Sequence, residues 1–190
     1  MYLKLKSAIM NTGEEFLSTA IRRLKYYKEL GEKTFEQLED KDFHWLPSSE
    51  SNSIAVIIQH ISGNMLSRWT NFLTEDGEKE WRQRDGEFEI HNYSKQRLLE
   101  IWDKGWECFF DTLGSLKPED LTKTVYIRKE PLSAIDAIIR QLAHYPYHIG
   151  QILYVGRMIK NESWKNLSIP KGTSTQYNKG EHVKDPAKKF

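Results

Sequence analysis

One cysteine in 190 residues leaves no internal disulfide to form. That cysteine, Cys108, sits among aromatics in "GWECFFDTL" with no histidine near it in sequence, and it reads as a packing residue rather than a nucleophile. So little cysteine fits a reducing compartment, and a cytoplasmic location is expected. Long apolar runs are also missing. The longest candidate, "SAIDAIIRQLAH", is too short and too polar to span a bilayer, so no membrane partner is expected. The opening stretch "MYLKLKSAIMNTGEEF" has basic residues but no apolar segment of signal-peptide length. Nor is there an excess of charge of one sign. The formal net charge is +1, without a basic stripe or a helix-turn-helix pattern, which argues against a nucleic-acid partner. No internal repeat is visible at a solenoid period.

What is present is the composition of one soluble globular domain, 38% hydrophobic and 29% charged, in a chain long enough to bury a core. Four segments carry the helical spacing of three and four. The first runs from about residue 11 to 38, with Phe16, Leu17, Ala20, Ile21, Leu24, Tyr27 and Leu30 in one stripe. The second runs from about 53 to 73 through Ile54, Ile57, Ile58, Ile61, Met65, Trp69 and Phe72. A long, charged loop with two glycines follows over 74–92, and loops of that length in a small domain are often functional. The third helix is capped by Ser94 and presents Leu98, Ile101, Trp102, Phe109 and Leu113. "TKTVYIR" has the alternating, β-branched character of a short strand. The fourth helix covers about 132–160, with Ile135, Ile138, Leu142, Ile149, Ile152 and Ile159 inward. These elements predict an all-α fold, an antiparallel four-helix bundle over residues 1–165. A C-terminal tail over 166–190 is expected to pack partly on the bundle through Leu167, Ile169 and Tyr177, with its last ten residues mobile. Most of the six tryptophans are expected in the core.

Within the fourth helix, "QLAHYPYHIGQIL" holds His144 and His148 four residues apart, one turn apart on the same face. Two imidazoles so placed can point at one ion, as in zinc proteases, but no glutamate follows the first histidine, so the protease reading fails at its general base. Pro146 between them removes a helical hydrogen bond to the Leu142 carbonyl and should kink the helix between the two histidines, unless a local widening absorbs it. The spacing alone is weak, because six histidines in such a chain sometimes fall four apart by chance. A metal site needs a third ligand. His182 lies in the tail, and His44 and His91 in loops. His60 lies mid-helix in "AVIIQHISGNMLSRW", either as a satisfied core histidine or as a ligand.

A mid-helix histidine in the second helix, followed by an H-x-x-x-H pair and "HIGQI" in the fourth, resembles the DinB-like (damage-inducible, YfiT-like) superfamily across roughly residues 11–160. "HISGNMLSRWTNFLTEDGEKEWRQRDGEFE" and "LSIPKGTSTQYN" are similar to a branch of it from Gram-positive bacteria. The resemblance implies a four-helix bundle with a divalent metal held by His60, His144 and His148, and Pro146 departs from the general pattern. Three imidazoles suit a divalent transition metal, with zinc and nickel first, and leave room for water or a thiolate. Relatives in the superfamily include thiol-dependent enzymes, so thiol S-transferase (bacillithiol-type) or hydrolase chemistry on a small-molecule substrate is the expectation, and the resemblance does not choose between them. It also implies a low-molecular-weight thiol as a second cofactor and a homodimer. The alternative is a non-catalytic, stress-related bundle whose metal site is structural or vestigial.

Several neighbours are candidates for the rest of a site. Asn64 and Arg68 follow His60 on its own face and could orient ligands or bind an anionic substrate. Gln141 and Gln151 stand three residues from the pair and could fix an imidazole tautomer. Asp85 and Glu87 are the best acids for a general base, and Tyr145 or Tyr147 could supply a phenol donor. Each has an ordinary counterpart: a solvated loop acid, a surface glutamine, a tyrosine packed at a helix interface, or an ion-paired arginine.

Overall fold

Each long helix starts at a residue that caps it. The computed structural model describes residues 11–180 and 184–190, so the first ten residues and His182 lie outside the described residues. Helix α1 (Thr12–Phe35) opens on Asn11, whose side chain accepts from the Gly13 N–H while Glu14 accepts from the Asn11 N–H. Helices α2 (Ile54–Trp69), α3 (Lys95–Ser115) and α4 (Ala134–Lys160) open on Ser53, Ser94 and Ser133, each accepting from an amide three residues on. A short α5 (Ser174–Lys179) lies in the C-terminal segment. Helix α2 stops before the expected Leu73 because Thr70 turns to an extended ψ of 122° and Asn71 follows at a φ of 52°. Helix α4 starts after Leu132, which belongs to a strand. Among the described residues, no helix is long and apolar enough to cross a membrane.

The fold is mostly helical, with one small addition. The expected strand is β1 (Thr124–Ile127), and it finds its partner in the next residues, β2 (Glu130–Ser133), in an antiparallel hairpin that pairs Thr124 with Ser133 and Ile127 with Glu130. The turn residues Arg128 and Lys129 have φ of 56° and 65°, the mirror-image geometry usually left to Asn-Gly. The Asp76 carboxylate accepts both of their amide N–H groups, at 2.9 and 2.7 Å, and so ties the turn to the segment after α2.

The apolar stripes of the four long helices meet in one core, with Leu24, Ile58, Ile61, Met65, Trp102, Trp106, Phe109, Ile138 and Ile152 fully buried. Contacts across that core set the helix directions. Ser62 faces Gly105, and Thr112 donates to the Trp69 carbonyl, so α2 and α3 run parallel. Gly31 lies against Ile149 and Thr34 against Gly156, so α1 and α4 are parallel too, while α2 opposes α4. The arrangement is therefore not antiparallel throughout. Two parallel neighbours in sequence need a connection that travels the length of a helix, which is why the segment after α2 is long. Gly105 permits the α2–α3 approach, since a Cβ there would sit 2.9 Å from the Ser62 Cα.

The C-terminal segment is held on α1. Gln37 and the Lys165 backbone exchange two hydrogen bonds, Asp185 pairs with Arg23 at 2.6 Å, and Ala187 is fully buried. That ion pair and the small apolar anchor dock residues 184–190 on the bundle, in line with a tail partly packed against it. Of the tryptophans, Trp69, Trp102 and Trp106 are core, whereas Trp45 and Trp81 are exposed.

Candidate metal centre

His60 comes from the middle of α2, and His144 and His148 come from the middle of α4. Because the two helices run in opposite directions, His60 meets both His148 and His144, at ring separations of 5.0 and 5.6 Å, and Asn64, one turn on, meets Tyr145. His60 is 7% exposed, and the other two histidines are half-buried. Their ligand-capable nitrogens all lie within 4.8 Å of one another, and among the described residues this is the group of histidines, cysteines and acids that is arranged to hold a metal.

Each imidazole is oriented by an acceptor on its outer nitrogen. The Glu87 carboxylate accepts from His60 Nδ1–H at 3.0 Å. Gln141 and Gln151 present their carbonyl oxygens to Nδ1 of His144 and His148 at 3.1 and 2.8 Å. Nδ1 therefore carries the proton in all three rings, and every Nε2 lone pair points inward. The Nε2 atoms of His144 and His148 are 3.1 Å apart. Two facing lone pairs at that distance repel, whereas two imidazoles on one tetrahedral ion at about 2.0–2.1 Å would bring their nitrogens about 3.3 Å apart. The donor set therefore fits a transition metal, with a fourth position left open because Glu87 and the glutamines are committed to the outer nitrogens.

Burial keeps the two α4 rings, His144 and His148, neutral. Burial, then the neighbouring His148 and His60, pushes the His144 imidazole down to about 3, and burial pushes His148 down as well. Burial alone would raise the Glu87 carboxyl, but hydrogen bonds from His60 and Arg82 more than offset this and leave it below its usual range. Arg82 grips Glu87 with two hydrogen bonds of 2.7 and 2.9 Å, and its own side chain is almost wholly buried. Gly63 makes room for this brace, since a side chain there would collide with the Glu87 carboxylate. Phe88 covers the His60 ring at 4.8 Å.

The other candidates divide. Gln141, Gln151 and Glu87 stand at the histidines, but Glu87 is a brace on His60 rather than an acid free to take a substrate proton. Asp85 is fully exposed and only 3.8 Å from Arg84, so it is not brought to the cluster; it lies on the outer side of the 3-10 turn Asp85–Phe88. Asn64 accepts from the buried Tyr145 hydroxyl at 3.2 Å, which in turn accepts from Trp69 Nε1–H at 2.9 Å. Burial raises the Tyr145 pKa, so its phenol stays protonated. Tyr147 is mostly exposed, with its ring 4.9 Å from that of His148. Arg68 is buried, paired with Glu78 at 2.9 Å and bonded to the Gly77 carbonyl. His44 and His91 bond backbone carbonyls elsewhere, and burial raises the Cys108 thiol pKa, as suits a packing residue. Arg82 and Glu78 were not legible in advance; a charged loop gives no local sign of which charges turn inward.

Fold and site together define a mostly helical protein with an inward-facing three-histidine cluster that could hold a metal. The chain belongs to the family described as Protein of unknown function (DUF1572), which matches residues 11–173. No curated protein and no solved structure matches it.

Proposed function

We propose that this chain is a DinB-like metalloenzyme whose four long helices form the superfamily's bundle, with His60, His144 and His148 as ligands of a divalent transition ion, zinc or nickel first. The observation that carries this reading is the convergence of three Nε2 lone pairs, each fixed by an acceptor on Nδ1, beside an open cavity. When bound, such an ion supplies Lewis acidity, lowering the pKa of a water or thiol that joins it to about 7 or below. The chain's own residues then have distinct tasks. Glu87, Gln141 and Gln151 hold the imidazoles in the binding tautomer, and Arg82 holds Glu87. Phe88 and Tyr145 keep bulk water from the sides of the cluster. The reaction class that suits an open three-nitrogen site is thiol S-transfer with a low-molecular-weight thiol such as bacillithiol, or hydrolysis. A structural site usually has four protein ligands, and the three histidines grouped here support the open, catalytic reading over it.

The test begins with elemental analysis of untagged protein. About one transition ion per chain, as in a mononuclear site, is expected in the wild type and its loss in His60→Ala and His148→Ala. Metal-loaded protein should then consume thiol with an electrophile or cleave a generic ester, and chelation should stop it. A protein that binds no zinc or nickel ends this reading.

The same reading includes a cytoplasmic homodimer. Tyr147, Tyr154 and Met158 are 62, 68 and 46% exposed at spacings of seven and four on α4, which suits a helix face shared between two copies. Light scattering should give twice the 22.4 kDa chain mass.

A further inference from the structure

A cavity of about 230 Å³ opens beside His60 and His144, and five of its nine lining residues are arginines: Arg68, Arg82, Arg84, Arg128 and Arg140. No acid lines it. The arginines come from four separate parts of the chain: α2, the connection after it, the hairpin turn and α4. No local run of basic sequence produces this collection; the tertiary fold assembles it.

The charges are only partly balanced. Glu78 pairs with Arg68 and Arg128 and reaches Arg82 at 3.8 Å, and Glu87 is shared between Arg82 and His60. Asp85 approaches Arg84 no closer than 3.8 Å. Arg140 has no ion pair or hydrogen bond among the described residues. Arg68 and Arg82 form a buried, locked floor, while Arg84, Arg128 and Arg140 are exposed at the rim. The hairpin contributes at a cost, since Arg128 is held at a positive φ that a non-glycine residue seldom adopts, and Asp76 pins it there.

We propose that this cavity binds the oxyanion of a small organic substrate, a carboxylate or a phosphate, with the substrate's reacting end turned towards the three histidines. The inference rests on the metalloenzyme reading for that second half and supplies its substrate class. Guanidinium groups present planar pairs of N–H donors that match carboxylate and phosphate oxygens. Asn64 and Gln141 line the same space and add amide groups. The cavity is below the usual range of about 300–1,000 Å³ for drug-sized ligands, which suits a metabolite-sized anion.

The test is isothermal titration of full-length protein, metal-free and zinc-loaded, with inorganic phosphate and with succinate as probes. Saturable binding of at least one probe to the metal-free protein is expected, and the two arms distinguish phosphate from carboxylate. Arg140→Gln and Arg84→Gln should each weaken it roughly tenfold, the scale of one charge-assisted hydrogen bond. Arg157→Gln, remote from the cavity, should leave it unchanged and reports on loss of general charge. No saturable binding of either probe overturns the proposal, as does unchanged affinity in both rim variants or an equal loss in Arg157→Gln. Zinc binding without probe binding removes the oxyanion site and leaves the metal site. Probe binding that depends on Arg140 in a protein that takes no zinc does the reverse.

Discussion

Glu87 acts at the centre only through His60. Its carboxylate fixes the imidazole tautomer, and two hydrogen bonds from Arg82 fix the carboxylate. Removing such a partner typically lowers metal affinity by about 10–100-fold while the ligands stay in place. Glu87→Ala should show that loss in a competition titration against a zinc chelator, with Glu87→Gln losing less because its amide oxygen can still accept. The histidines also predict a pH dependence. A histidine in the unfolded chain takes a proton near pH ~6.5, whereas folded His144 resists protonation down to about 3. Between those values the unfolded chain binds more protons, so the metal-free protein keeps its full stability above about pH 6.5 and loses it as the pH falls. Urea midpoints at about pH 7.5 and about pH 5 should differ in that direction, and the difference should shrink in His144→Gln.

At the scale of elements, Pro146 sits between two of the three histidines in the middle of α4. Helix α4 runs unbroken from Ala134 to Lys160 with the proline inside it. Proline in a helix interior costs about 3 kcal/mol through a lost hydrogen bond and a ring clash. Pro146→Ala should therefore raise the thermal midpoint of the metal-free protein, and a simultaneous fall in zinc affinity would show that the proline sets the His144–His148 geometry. Gly105→Ala should do the opposite, destabilising by about 1–3 kcal/mol in urea because α2 and α3 would have to separate. The helices were legible in the sequence because stripes such as Leu98–Trp102–Phe109 and caps such as Ser94 are local signals. The histidine set was legible for a related reason: four-residue spacing is itself a helix property, and His60 stood out as polar on an apolar helix. Helix direction was not legible. Nothing in the local sequence near Ser62 or Gly105 states that their helices run the same way. For the same reason Arg82, which meets Glu87 only after the loop folds back, carried no signal.

At the scale of the whole molecule, the three histidines join the opposed helices α2 and α4, so an ion held by them ties distant parts of the chain together. A ligand that binds only the folded state stabilises it by mass action, by about 2.7 kcal/mol at a hundredfold excess over Kd. Zinc should raise the thermal midpoint of the apo protein and a chelator should reverse the rise, with no effect in His60→Ala. The connection that carries Glu87 and Arg82 has a further consequence. Helix α2 is about 24 Å long at 1.5 Å per residue, and an extended chain crosses that distance in roughly eight residues. The stretch from residue 70 to 94 is far longer than the crossing requires. The surplus chain turns inward to make the brace on His60 and part of the arginine rim. Cutting only the Arg82–Phe88 part of that surplus should leave His60 without its brace, seen as a loss of zinc affinity in competition with a chelator.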